Sequence, residues 1–149
     1  MIRAILTALV IFHANGYAQQ IERPPVDWKL IYGLEIKDGK IYIDSKSLIS
    51  SKTLSHQINT GDLMVSFDAP TETEVNGKKL TYQSSVHTFV VDCDSGRTAP
   101  VFDVYFTEPM PTRSSKPLTG RKYPNDVRFT SFFLDKKSVV FNAFCPIYI

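Results

Sequence analysis

Three glycine-containing turns punctuate this chain, and they constrain its fold more than any other feature of the sequence. Asp38-Gly39, Asn76-Gly77 and Ser95-Gly96 each stand beside segments rich in β-branched and aromatic residues. Such dipeptides favour the backbone angles of tight hairpin loops. Residues 62–67 add a clean alternation of apolar and other residues, which is typical of a strand. The pattern predicts antiparallel strands joined in sequence as a meander.

The remaining segments fill in this outline. We predict strands in residues 28–32, 40–44, 62–67, 82–93 and 97–107, with a weaker candidate in residues 53–59. Residues 45–51 could form a single helical turn capped by Asp44 or Ser45, and residues 69–80 form a polar turn region. Residues 127–134 are ambiguous between strand and helix. The sheet should therefore have five or six strands.

A helix is predicted at the end of the chain. Asp135 or Ser138 could cap it, and Pro146 stops it just after Cys145. A sheet of this kind has one face to cover, and this helix is the obvious cover. The predicted fold class is α+β, with an antiparallel sheet and a C-terminal helix packed on one face. Residues in phase with Cys93 along its strand, namely Val91, Phe89 and His87, should face the helix.

The first eighteen residues have the pattern of a secretory signal peptide. Arg3 precedes an apolar run in residues 4–12, and Gly16-Tyr17-Ala18 places small residues at a cleavage site before Gln19. The run is too short to cross a bilayer, which takes roughly 20 residues. We therefore expect residues 1–18 to be removed, residues 19–26 to form a leader arm, and residues 27–149 to form a single domain. With no cysteine near the cleavage site, we do not expect a lipoprotein. The expected location is the periplasm, the cell surface or the medium.

The two cysteines, Cys93 and Cys145, favour a disulfide in such an oxidising compartment. Only one pairing is possible, and it would tether the helix to the sheet. Two free thiols are the main alternative. Redox chemistry is disfavoured because the C-x-x-C spacing is absent.

The order of several short motifs resembles the surface-adhesin protein E family of Gram-negative bacteria. They are Asp27-Trp28 with an apolar strand, residues 40–44 (KIYID) followed by Ser-Lys-Ser, Val91-Asp92-Cys93 with a glycine three residues on, and Cys145-Pro146. The resemblance covers about residues 27–146. It implies an antiparallel sheet with a C-terminal helix tied to it by a disulfide, together with export and binding to host extracellular proteins. The chain departs from such adhesins in lacking the cysteine that would carry a lipid anchor.

The sequence offers little support for an enzyme or a cofactor. Ser85 and His87 share a strand face, but about 7 Å between their backbones is a poor geometry for proton transfer. Ser84 points to the opposite face from His87. Two histidines thirty residues apart do not form a metal-ligand pattern, and the isolated glycines form no phosphate loop. We therefore expect no catalytic residues, no metal and no other cofactor.

The best candidate for partner binding is residues 108–126, predicted as a long proline-rich loop. It carries four cations and an aromatic residue: Arg113, Lys116, Arg121, Lys122 and Tyr123. A net charge of only +2 argues against a nucleic-acid partner, and no segment is long enough to span a membrane. The sequence thus predicts an exported non-enzymatic protein that binds a host extracellular or envelope protein. The alternatives are a structural or inhibitory partner of an envelope protein and, with less support, a small hydrolase. An edge strand that pairs with a second copy would give a homodimer.

Overall fold

The computed structural model describes residues 26–52, 55–123, 132–133 and 139–146. Within these residues, eight strands and one short helix follow each other: β1 Trp28–Ile36, β2 Gly39–Asp44, β3 Ile49–Lys52, β4 Gln57–Val75, β5 Lys78–Asp92, β6 Arg97–Phe106, β7 Thr119–Lys122, β8 Phe132–Phe133 and α1 Val139–Phe144. The predicted signal peptide, the leader arm up to residue 25 and the candidate helix caps Asp135 and Ser138 lie outside the described residues.

The strands form one antiparallel sheet in the order β1-β2-β4-β5-β6-β7, with β3 paired to β4 and β8 paired to β6. The three predicted glycine turns do join consecutive strands. At Asn76-Gly77 both residues have positive φ, 52° and 75°, which is the conformation that a tight hairpin loop requires. The predicted α+β fold is confirmed, with more strands than the five or six expected.

One face of the sheet packs against α1. Val91 on β5 and Phe141 and Phe144 on α1 are at most 1% exposed and belong to one buried cluster. The disulfide between Cys93 and Cys145 joins the end of β5 to the end of α1, with the Cα atoms 5.8 Å apart. The expected tether between helix and sheet is therefore present. Phe89 packs against this cluster as expected.

The opposite face is covered by the connection between β6 and β7, residues 107–118. Ser84 Oγ on β5 donates to the carbonyl of Glu108, and Trp28 Nε1 on β1 donates to the carbonyl of Pro111 at 3.0 Å. Met64 on the same face of β4 is fully buried. The expectation that only one face needs a cover is thus incomplete, since side chains are buried on both faces.

Two segments differ from the prediction for local reasons. The Asp44 side chain accepts the backbone N–H of Lys46 at 3.0 Å, and Ser47 N donates to Asp44 O, so the chain makes a β-turn rather than a helical turn before β3. Residues 69–80 are mostly strand, because β4 runs to Val75 and β5 resumes at Lys78. Their polar composition reflects a hairpin whose tip is exposed rather than an irregular region.

Candidate functional site

The segment predicted as one long loop has two parts in the structure. Residues 107–118 are a connection, whereas residues Thr119–Lys122 form β7 and pair with β6. The prediction of a continuous loop is therefore wrong for these four residues. Residues 124–126 lie outside the described part of the chain.

The connection is held at several points. Besides the bonds that Ser84 and Trp28 donate, Leu118 N donates to Tyr105 O at 2.8 Å and leads the chain into β7. Pro111 is buried. These contacts fix the path of the backbone while residues such as Met110, which is 43% exposed, face solvent.

Two of the predicted cations lie on a turn within this connection. Ser115 N donates to Thr112 O at 3.2 Å, and Thr112 N donates to Ser115 Oγ at 2.8 Å, so residues 112–115 form a hydrogen-bonded β-turn. Ser115 Oγ also donates to the Glu108 carboxylate. Arg113 inside this turn and Lys116 just after it are exposed. The structure therefore presents these cations on an ordered backbone.

The other two predicted cations are neighbours on β7 and point to opposite faces. Lys122 is paired with Phe102 of β6 and is exposed, whereas Arg121 is paired with Asp103 and is partly buried. Tyr123 donates its hydroxyl to Asp103 Oδ2 at 2.6 Å. The five predicted residues thus do not form one group, because Arg121 and Tyr123 lie beside Asp103 on the helix-bearing face.

Asp103 belongs to a hydrogen-bonded network that the sequence did not predict. His87 on β5 is the cross-strand partner of Asp103 on β6, and its Nδ1 lies 2.8 Å from Asp103 Oδ1. The Nε2 of the same ring lies 2.8 Å from Ser85 Oγ. With a proton on Nδ1, His87 donates to Asp103 and accepts the Ser85 hydroxyl. His87 therefore belongs to this network, on the same face of β5 as Phe89 and Val91.

The environment keeps the Asp103 carboxylate charged. Burial disfavours the charged form, but the hydrogen bonds from His87 and Tyr123 outweigh it, so the pKa of Asp103 lies below its ordinary value of 3.8. The same bond to Asp103, followed by burial, raises the pKa of Tyr123. Burial and the nearby Asp103 charge raise the pKa of Tyr105. A charged acceptor makes these hydrogen bonds stronger than neutral ones.

The atoms follow the same order as in the Ser-His-Asp triads of acyl-transfer enzymes. The expectation that Ser85 and His87 have a poor geometry for proton transfer is wrong, because the imidazole spans the gap between alternate residues and its Nε2 reaches Ser85 Oγ. However, Ser85 is only 3% exposed. It also lies mid-strand, with Val65 and Tyr105 as its partners in the two flanking strands, whereas an oxyanion hole needs free N–H groups aimed at a substrate. What the hydrogen bonds of this network do in the fold is to join Ser85 and His87 of β5, Asp103 of β6 and the residue after β7.

The exposed surface beside β7 combines charge with apolar groups. Phe102 is 38% exposed, and its ring lies over Gly120, where an added Cβ would come within 2.9 Å of Phe102 Cζ. Leu118, just before β7, is 42% exposed. We call these two residues, together with Lys122, Arg113 and Lys116, the β7 surface. Of these side chains, the phenylalanine and the arginine are of types that are enriched in protein-binding surfaces.

Comparison with models of known protein families identifies a match. The model of a family described as surface-adhesin protein E matches residues 28–139, which span all eight strands and the first residue of α1. No curated protein matches the chain.

Proposed function

Because the chain belongs to the surface-adhesin protein E family, we propose that it is an exported, non-enzymatic protein that binds a protein partner through its β7 surface. The partner belongs to the host extracellular proteins or to the bacterial envelope. The proposal includes cleavage of residues 1–18 and a mature chain without a lipid, located in the periplasm, on the cell surface or in the medium. Within the described residues, no helix has the length and apolar character to cross a membrane.

The β7 surface is the observation that carries the choice of binding region. Its three cations are exposed, while Phe102 and Leu118 leave more than a third of their area in contact with water. The connection that bears Arg113 is held by hydrogen bonds to Trp28 and Ser84, so binding orders little additional backbone. A rigid surface of this kind supports recognition better than a free loop does.

Charge and apolar contact should contribute differently to binding. Exposed cations steer and select acidic partners, and their effect falls as salt screens it over about 10 Å at 0.1 M. Buried aromatic and aliphatic contacts usually supply most of the affinity. We therefore expect loss of the cations to slow association and flatten its salt dependence, and loss of the Phe102 ring to speed dissociation.

The test begins with purified mature protein and a panel of immobilised host matrix proteins, run beside envelope extract. The partner so found is then assayed by surface plasmon resonance at several salt concentrations. The charge variant is Arg113→Ala, Lys116→Ala and Lys122→Ala. The matched control removes three exposed cations elsewhere: Lys52→Ala, Lys78→Ala and Lys79→Ala.

We expect the charge variant to bind at least several-fold more slowly and the control to bind as the wild type does. Equal effects of the two variants would show that only net charge matters and would contradict the assignment of the surface. Binding confined to envelope extract would favour a structural or inhibitory partner of an envelope protein over an adhesin. β7 lies at one end of the described sheet, where its free edge can pair with β7 of a second copy. Sedimentation equilibrium checks separately for such a homodimer.

A further inference from the structure

The start of β4 and the turn between β5 and β6 meet at one end of the sheet. Gln57 N donates to Asp94 Oδ2 at 2.7 Å, and Cys93 N donates to Gln57 O at 2.9 Å. These two bonds place His56, the residue before β4, beside the turn. Asp92 and Asp94 flank Cys93, whose disulfide to Cys145 anchors the turn to the end of α1.

Three possible metal ligands converge at this point. His56 Nδ1 lies 3.1 Å from Asp92 Oδ2 and 3.3 Å from Asp92 Oδ1. One ligand atom from each of His56, Asp92 and Asp94 can be chosen so that all three lie within 4.8 Å of one another. Zinc bonds of about 2.0–2.2 Å in tetrahedral geometry hold neighbouring ligand atoms roughly 3.3 Å apart. The spacing between His56 and Asp92 therefore already fits one edge of such a site.

The carboxylates are positioned before any ion arrives. Asp92 is 7% exposed, and its oxygens accept Asp94 N at 3.0 Å, Ser95 N at 3.3 Å and Ser95 Oγ at 2.7 Å. These hydrogen bonds hold the Asp92 carboxylate in place, so an ion need not order it.

The His56 side chain is 47% exposed, which leaves the site open on the solvent side. An open side admits an ion and leaves room for water or for a ligand from a binding partner. The donor set selects the class of ion: Ca²⁺ and Mg²⁺ prefer oxygen ligands alone, whereas an imidazole nitrogen suits zinc and its neighbours in the first transition row.

We propose that His56, Asp92 and Asp94 form a binding site for a divalent transition-metal ion, with Zn²⁺ as the best match. Three protein ligands with an open fourth position are the usual arrangement of zinc sites that exchange ligands. The disulfide joins this turn to the end of α1, and bound metal would add a separate cross-link between the start of β4 and the same turn. This inference is independent of the β7 surface and of its partner.

The test uses the mature chain without a histidine tag, with its disulfide intact and with metal removed by a chelator. Isothermal titration with ZnCl₂ measures binding, and CaCl₂ is titrated in parallel. The variants are His56→Ala and Asp94→Asn, and the control is Asp68→Asn, an exposed aspartate outside the cluster. Asp92 is not substituted, because it also holds the turn. Melting temperatures without metal check that each variant folds.

We expect one Zn²⁺ per chain, no comparable binding of Ca²⁺, and affinity reduced at least tenfold in both variants but not in Asp68→Asn. Zinc should also raise the melting temperatures of the wild type and of Asp68→Asn, but not those of His56→Ala and Asp94→Asn. The proposal is overturned if the wild type binds no zinc saturably. It is equally overturned if both variants, folded, bind zinc as the wild type does, because the ion would then lie elsewhere.

Discussion

Removal of the Cys93–Cys145 disulfide should lower the free energy of unfolding by an amount that follows from the length of the loop that the bond closes. The bond joins residues 52 positions apart. The loss of loop-closure entropy in the unfolded chain gives about 4 kcal/mol for a loop of this length. A domain of this kind has about 5–15 kcal/mol in total, so the variants should still fold at 25 °C.

The choice of substitution decides what is measured. Both sulfurs are in fully buried residues, and a serine hydroxyl left unpaired there costs about 1–3 kcal/mol by itself. The double variant Cys93→Ala with Cys145→Ala separates the cross-link from this polar penalty. Single and double variants should show the same loss in the free energy of unfolding, because the cross-link can be lost only once.

The assay is urea unfolding followed by circular dichroism, with oxidised wild type as the reference. The expected loss of about 4 kcal/mol corresponds to a fall of roughly 10–20 °C in melting temperature. Helix α1 has only six residues and would not persist alone, but Phe141 and Phe144 are 1% exposed and should keep it docked. A loss below about 1 kcal/mol, or a double variant twice as destabilised as the singles, would refute the reasoning.

The remaining predictions concern the Ser85–His87–Asp103 network. Because the pKa of Asp103 is lowered in the fold, its carboxylate stabilises the folded state fully above the ordinary pKa of 3.8, and this contribution is lost as pH falls through the folded pKa. The urea concentration at the unfolding midpoint should therefore fall between pH 6 and pH 2 for the wild type, and fall less for Asp103→Asn. Burial of Ser85 predicts that a fluorophosphonate probe does not label the folded protein. Stoichiometric labelling that Ser85→Ala abolishes would instead support the small hydrolase.

Much of the fold was predictable because it depends on local signals. Glycine turns fix hairpins, and a single pair of cysteines fixes the disulfide, so the sheet and the tethered helix followed from the sequence. The second covered face was not predictable in this way. The bonds that Trp28 and Ser84 donate to the connection span 83 and 24 residues, and no short-range pattern marks either of them.

The network was missed because it depends on a β-bulge. Counting back from the turn, Asp92 pairs with Arg97 and Phe89 with Pro100, a register that would place Phe102 opposite His87. The register shifts between Thr88 and Phe89, and this shift brings Asp103 opposite His87. Pro100 was the available signal, since proline inside a paired strand is typical of a bulge.

The same shift determines which cation of β7 is exposed. Since β7 pairs with β6 beyond the bulge, Arg121 lies opposite Asp103 and Lys122 opposite Phe102. Without the shift, the alternation along β6 would be reversed relative to β5, and Asp103 would not share a face with His87. One extra residue in β6 therefore does two things. It gives the buried carboxylate its hydrogen-bond donors, and it leaves Lys122 beside an exposed aromatic ring on the opposite face, where both side chains are open to solvent.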